Sequence, residues 1–357
     1  MKRIDFFLLA SVLFLTLFGL FMIYDASSFV AFRDFADKYH YVKDQAFWIV
    51  LGIIALFSFY YIDYHKFYNL AIPILLTAIS LLVLVFIPGI GVKLLGAHRW
   101  INLRFTILQP SEFVKLALAI YLSAWFSSKE KGRLWAFLLL LSTVLFLVIV
   151  EPDMGTAAII LAEGFVLYFL SGASVMYFAA LIPVIGLVGF VLAKLEPYRA
   201  ARLATFMNAN QDISSSSYHV RQILIALGSG GLMGVGLGNS IQKYAYLPEN
   251  TTDSIFAIIA EELGFLGACL IIGIFLVVIW RGFSIAQNSK DSFGRLLAGG
   301  IITFLAAQVI INLAAQTVLL PLTGIPLPFI SYGGSALIID LSSIGILLNI
   351  AKQGKNT

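Results

Sequence analysis

The chain alternates between long apolar stretches and short polar interruptions. Ten stretches stand out, near 6–24, 46–62, 69–87, 111–126, 134–150, 154–170, 174–194, 254–279, 296–319 and 334–350. Their lengths bracket the roughly 20 residues a helix needs to cross the hydrocarbon core of a bilayer. In lipid every backbone N–H and C=O must be satisfied within the protein, and a lone segment achieves that only as a helix. The pattern therefore predicts an all-α, polytopic membrane protein with ten transmembrane helices. Glu151-Pro152-Asp153 and Ser171-Gly172-Ala173 carry the proline and glycine of tight breaks, so the helices on either side form hairpins. A large loop, about 195–252, separates the seventh and eighth stretches. Connections this long are functional or disordered. Its Ile223, Leu224, Ile225, Leu227, Leu232 and Leu237 predict that part of it lies on or dips into the membrane surface.

Composition agrees with this reading. The chain has 357 residues, 60% hydrophobic and 12% charged, about half the charge of a soluble domain. We expect one integral domain over 1–357, with no room for a large soluble module. The formal charge of +4 is mild and gives no reason to expect nucleic acid. Met1-Lys2-Arg3 precedes an apolar run with no small-residue cleavage site, so no cleavable signal is expected. The single cysteine, Cys269, excludes an intramolecular disulfide.

Orientation follows from Lys and Arg in the short loops. With a cytoplasmic N-terminus, that side holds Lys2, Arg3, Lys66, Lys129, Lys131, Arg133, Arg281, Lys290, Arg295, Lys352 and Lys355. The other side holds Arg33, Lys38, Lys43, Lys93, Arg99 and Arg104. This bias predicts two cytoplasmic termini, an extracytoplasmic long loop, and Asp253 at the outer face. The outward cations oppose the usual rule, and either an external anionic ligand or lipid phosphate accounts for them.

Several polar residues sit where lipid makes them costly. Asp253 follows Thr251-Thr252 and opens the eighth stretch, where it reads either as a helix N-cap or as a base at the membrane edge. Glu261 lies about 12 Å deeper on the same helix. Glu261 and Glu262 are expected to be structural. Glu112 and Lys115 are three apart and share a helix face, so they read as a structural ion pair or as a held cationic site. Glu151 and Asp153 form a turn with two acids, and Asp153 is placed to cap the next helix. Glu163 and Asp340 have no partner legible in the sequence. The four histidines show no zinc-ligand spacing. Pro321 through Ser335 holds three prolines and three glycines, too many for a regular helix. Irregular backbone at this depth must be buried in protein or line a wet cavity, so a loop wall beside Asp253 is expected.

The order and wording of these motifs resemble the SEDS family (shape, elongation, division and sporulation), which comprises FtsW, RodA and SpoVE. The matching pieces are Arg99-Trp100-Ile101, Gln109-Pro110-Ser111-Glu112 with Lys115, Glu151-Pro152-Asp153 with Gly155-Thr156, and Gly228-Ser229-Gly230-Gly231. Gly234 through Gly238, Gln242-Lys243, Leu247-Pro248-Glu249, Thr252-Asp253 through Gly264, and Gly324 through Ser335 complete the set. His98 before Arg99, Phe206-Met207-Asn208-Ala209, and the glycine-free Asn312 through Thr317 depart from the family pattern. Tyr218-His219 with Gln222, and Asp253 through Ala257, look more like FtsW than RodA.

The resemblance implies a peptidoglycan glycosyltransferase of the bacterial cytoplasmic membrane, polymerising lipid II at the outer face for division or elongation. It further implies a class B penicillin-binding protein as partner, beside other divisome or elongasome membrane proteins. Asp253 would be the catalytic acid of the motif. Departing undecaprenyl pyrophosphate needs positive charge, for which Arg99, Lys115, Arg202 and Lys243 are candidates, with or without Mg2+ or Mn2+. Glu112, Glu151, Asp153, Ser331 and Tyr332 are further substrate-contact candidates. A lipid II flippase and a noncatalytic scaffold for the transpeptidase are the alternatives.

Overall fold

A computed structural model describes residues 4–94, 97–102, 106–128, 133–195 and 215–354. The ten apolar stretches are helices: α1 (Phe6–Phe35), α2 (His40–Tyr61), α3 (His65–Leu84), α4 (Pro110–Ser127), α5 (Leu134–Val150), α6 (Met154–Leu170), α7 (Val175–Leu195), α9 (Ile255–Gln287), α10 (Ser292–Gln316) and α11 (Gly334–Gln353). The long loop contributes α8 (Ser215–Ser229). Local signals set the starts. Asp5 accepts from Leu8 N at 3.1 Å, Asp291 from Gly294 N at 2.8 Å, and Pro110 takes the first helical position, where it has no N–H to waste. Several helices outrun their apolar stretch. α1 passes residue 24 and reaches Phe35, which brings Asp25 into the helix.

The apolar interior has two parts. One unites α1, α2, α9, α10 and α11, and the other α3 through α6. Phe14, Leu17, Phe21, Leu139 and Phe146 point outward, as a lipid-facing surface requires. The helices form a multi-pass membrane protein with two polar ends. At one end Lys243 meets Asp25, Tyr332 meets Asp44, and Arg99 meets the 151–152 turn. At the other, Arg281 pairs with Asp5 at 2.5 Å and Asn349 holds the start of α3 through Tyr64 N at 3.0 Å.

Two features modify the helical expectation. Between α3 and α4 lies a small antiparallel sheet, β1 (Gly91–Leu94), β2 (Ala97–Asn102) and β3 (Ile107–Leu108), in that order. It pairs Val92 with Trp100 and Ile101 with Leu108. The second is a break inside α9. Gly264 has φ 69° and ψ −170°, open to glycine and closed to L side chains. In an unbroken helix Phe265 N and Leu266 N would donate to Glu261 O and Glu262 O. Here the turn after α8 takes all four groups. Phe265 N donates to Gly231 O at 2.9 Å and Leu266 N to Leu232 O at 3.2 Å. Val235 N donates to Glu261 O at 3.0 Å and Gly236 N to Glu262 O at 3.1 Å. Part of the long loop is thus a turn that packs against α9 and replaces the missing helical bonds.

Candidate active site

Asp253 stands just ahead of α9. The helix is capped by Ser254, one residue later, so Asp253 is not the N-cap. The Asp253 backbone carbonyl is already engaged, by Asn312 Nδ2 at 3.0 Å and by Gln316 Nε2. Its side chain lines a cavity of about 790 Å³. The irregular loop forms one wall, as expected, through Pro321, Leu322, Thr323, Gly324 and Pro326. Gly324 has φ 77°, and a Cβ there would stand in van der Waals contact with Asp253 Oδ2, at 3.5 Å.

The remaining walls come from distant segments. The sheet supplies Arg99 and Trp100, α2 supplies Asp44 and Trp48, α8 supplies His219, and Glu249 precedes Asp253 by four residues. His219 Nε2 lies 2.7 Å from Ser254 Oγ, next to Asp253. Tyr332 also lines the cavity, and its hydroxyl donates to Asp44 at 2.5 Å. Burial and the Asp44 carboxylate push the Tyr332 phenol well up, so it stays a donor. Asp44 and Trp48 were not legible as site residues, because each lies far from the motifs, and His219 was legible only as part of Tyr218-His219. Trp100 was legible only as part of Arg99-Trp100-Ile101.

The other candidates separate into three groups. Arg99 faces the cavity and also donates to Glu151 O at 3.0 Å and to Pro152 O, fastening the acidic turn. Arg202 lies outside the described residues. The rest are buried away from the cavity wall. Lys115 is fully buried, 2.8 Å from Glu112 Oε2, and donates to Gln308 Oε1 at 2.7 Å. Lys243 reaches Asp25 at 2.8 Å and Glu262 at 3.0 Å. Its family motif placed it near Asp253 in sequence, but its partner on α1 lies 218 positions away. Ser331 Oγ donates to Thr252 O at 2.6 Å and accepts from Leu327 N at 2.8 Å, so it braces the loop. Asp153 caps α6, accepting from Thr156 N at 3.1 Å and Thr156 Oγ1 at 2.9 Å. The Glu151 carboxylate is buried without a hydrogen-bond partner. Burial first, then the Asp153 charge, pushes its carboxyl up to about 9, against a smaller pull from Arg99. Glu261 and Glu262 accept from Ser240 and Ile241 and stay structural, as expected.

The cations that the Lys/Arg count assigns to the outer side are self-neutralised in part. Arg33 pairs with Asp34 and Lys43 with Asp37, each at 2.7 Å, which removes the need for an anionic ligand at these two positions. Among the described residues the cavity wall carries one permanent cation, Arg99. Among the same residues no three carboxylate, imidazole or thiolate groups converge as metal ligands.

Residues 6–356 match a family model described as "Cell cycle protein", that of FtsW, RodA and SpoVE. The chain is 40% identical to stage V sporulation protein E of Bacillus subtilis (strain 168), over 98% of each chain. It is 38% identical to the probable peptidoglycan glycosyltransferase FtsW of Geobacter sp. (strain M18), over 99% of each. Among solved structures it resembles Thermus thermophilus rod shape determining protein RodA, with a TM-score of 0.74 and 26% identity over 99% of each chain. It also resembles a chain of a structure described as "Structural coordination of polymerization and crosslinking by a peptidoglycan synthase complex", with a TM-score of 0.80 and 25% identity over 98% of each.

Proposed function

This chain belongs to the FtsW/RodA/SpoVE family, and we propose that it is a peptidoglycan glycosyltransferase that polymerises lipid II with Asp253 as general base. The observation that carries the assignment is Asp253 on the wall of a large cavity, with its backbone carbonyl held by Asn312 and Gln316. The names of the relatives support the reaction class. The acceptor sugar presents a hydroxyl, Asp253 takes its proton, and the oxygen attacks the anomeric carbon of the growing chain. The bond from that carbon to undecaprenyl pyrophosphate breaks, and the electron pair leaves with the phosphate. Arg99 is the wall cation available to that developing charge. Trp48 and Trp100 offer apolar faces on which sugar rings can lie.

Among the described residues no cluster of carboxylate, imidazole or thiolate groups would hold a divalent ion by itself. Mg2+ or Mn2+ would have to arrive with the pyrophosphate, and a chelator titration of the polymerisation rate tests that. The Lys/Arg asymmetry supports an orientation with Asp253 outside and both termini in the cytoplasm. The synthase-complex neighbour supports work beside a class B penicillin-binding protein. The 38–40% identity to FtsW and SpoVE supports a division or sporulation role over elongation.

The test is lipid II polymerisation by the purified protein with its partner. Asp253→Asn and Asp253→Ala should lose at least about a hundredfold in rate, the scale of a lost general base. Polymer formed at the wild-type rate by either variant would overturn the assignment.

A further inference from the structure

We infer that Lys115 serves this reaction as a positioning residue, acting through Gln308, the lowest rung of a ladder of three amides on α10 that holds the Asp253 carbonyl and the loop facing it, and not by contact with substrate. The inference rests on the reading of Asp253 as the base. Gln308, Asn312 and Gln316 are spaced by four, so they share one face of the helix. All three are buried, at 0%, 2% and 1% exposure. Gln316 Nε2 and Asn312 Nδ2 both donate to the Asp253 carbonyl, and Asn312 Nδ2 also reaches Ile325 O at 2.7 Å. One rung deeper, Gln308 Nε2 donates to Pro326 O at 3.2 Å. The ladder thus grips the segment before α9 and the loop facing it with the same helix face. Tyr332 N and Ser331 Oγ take the two preceding carbonyls, of Thr251 at 2.9 Å and Thr252 at 2.6 Å. Three successive peptide units ending at Asp253 are therefore held.

The role of Lys115 follows from the symmetry of an amide. The two ends of a glutamine head have nearly the same shape, and only its partners decide which end donates. Lys115 Nζ, a donor only, lies 2.7 Å from Gln308 Oε1. That contact fixes the oxygen inward and turns Nε2 toward the Pro326 carbonyl. Glu112, at 2.8 Å, holds the cation in place. Lys115 is 0% exposed and absent from the cavity wall, so a pyrophosphate in the cavity does not reach it.

The experiment is steady-state polymerisation of lipid II by the full-length protein with its partner, resolved into kcat and KM. Asn312→Leu removes the donors without changing charge. It should lower kcat by about a hundredfold, the effect of a small misplacement of a reacting group, and leave KM within about twofold. Gln308→Leu should lower kcat by about tenfold, again with KM held. The double variant Lys115→Met with Gln308→Leu should be no slower than the slower single variant, because the two act in series. A raised KM in Lys115→Met, beside wild-type kinetics in Gln308→Leu, would overturn the inference in favour of substrate contact. If Lys115→Met fails to elute as a monodisperse protein, Gln308→Leu and Asn312→Leu decide alone: wild-type kcat in both overturns the ladder. Asp253→Asn serves as the control. Full activity there rejects the base itself, whereas an inactive Asp253→Asn beside fully active ladder variants rejects only the ladder.

Discussion

Lys243 and Lys115 are both buried and both outnumbered by acids, yet only Lys243 touches each acid of its cluster. Lys243 sits between Asp25 and Glu262, at 2.8 and 3.0 Å, and ties α1 to the upper half of α9. The turn around it is closed by further bonds from Ser240 N to Glu262 and from Asn250 Nδ2 to Ala26 O and Lys243 O. Lys115 has Glu112 beside it and feels the charge of Asp340 as well, while Glu163 feels Lys115 in turn. Both oxygens of Glu163 and of Asp340 are buried without a hydrogen-bond partner. The first arrangement is a staple in which both carboxylates touch the cation. The second is an acid-rich interior whose single cation is committed to Glu112 and to the amide ladder.

The largest break in this comparison should come from Lys243→Met. It strands two carboxylates in the protein interior, and removing one partner of a buried pair costs about 3–5 kcal/mol. Thermal unfolding in detergent should show the loss, and adding Asp25→Asn and Glu262→Gln should restore most of it. Gly264→Ala comes next. A Cβ there would stand 2.2 Å from Gly234 N, and the positive φ alone costs about 1–3 kcal/mol. The same unfolding measurement checks it, and an unchanged midpoint would mean that the break in α9 is not rigid. Glu163→Gln and Asp340→Asn, on the Lys115 side, should change stability by about 1 kcal/mol or less, since no hydrogen bond is lost. Losses as large as that of Lys243→Met would show that both interiors are staples.

Glu151→Gln differs from these variants in being read through its pH dependence. Its carboxyl ordinarily titrates at 4.5 and is raised to about 9 in the fold. Below 4.5 both the folded and the unfolded states hold the proton, and the contribution to stability is complete. As pH rises from there toward 9, the unfolded state gives up its proton first, so wild-type stability falls. The variant has no such proton to lose. Its unfolding temperature should stay flatter across that window, and parallel wild-type and variant curves would reject the shift.

Much of the architecture was legible because lipid imposes one rule on every span. Ten apolar stretches could only be helices, and three prolines in fifteen residues could only be a loop. Asp253 was legible from its position, and Asp153 as a cap from its turn. What escaped depends on distance along the chain. Asp25 was hidden because the first stretch loses its apolar character at residue 24, although the helix continues to Phe35. The three short strands have too few residues to show a period of two. Gln308, Asn312 and Gln316 do carry a spacing of four, but the carbonyls they hold, at 253, 325 and 326, could not be guessed from one helix. Tyr332 reached the cavity as expected, but the use of its hydroxyl on Asp44 came from a helix start nearly 300 residues earlier.

The order of synthesis gives the break in α9 a meaning for biogenesis. Residues 231–236 leave the ribosome before Gly264 does, so the strand that completes the ladder is made ahead of the helix it completes. Until the two meet, each half of α9 carries open amides or carbonyls that hydrocarbon does not tolerate. A half of α9 alone in lipid is therefore not a finished span, and the turn is as much a part of that span as the helix itself.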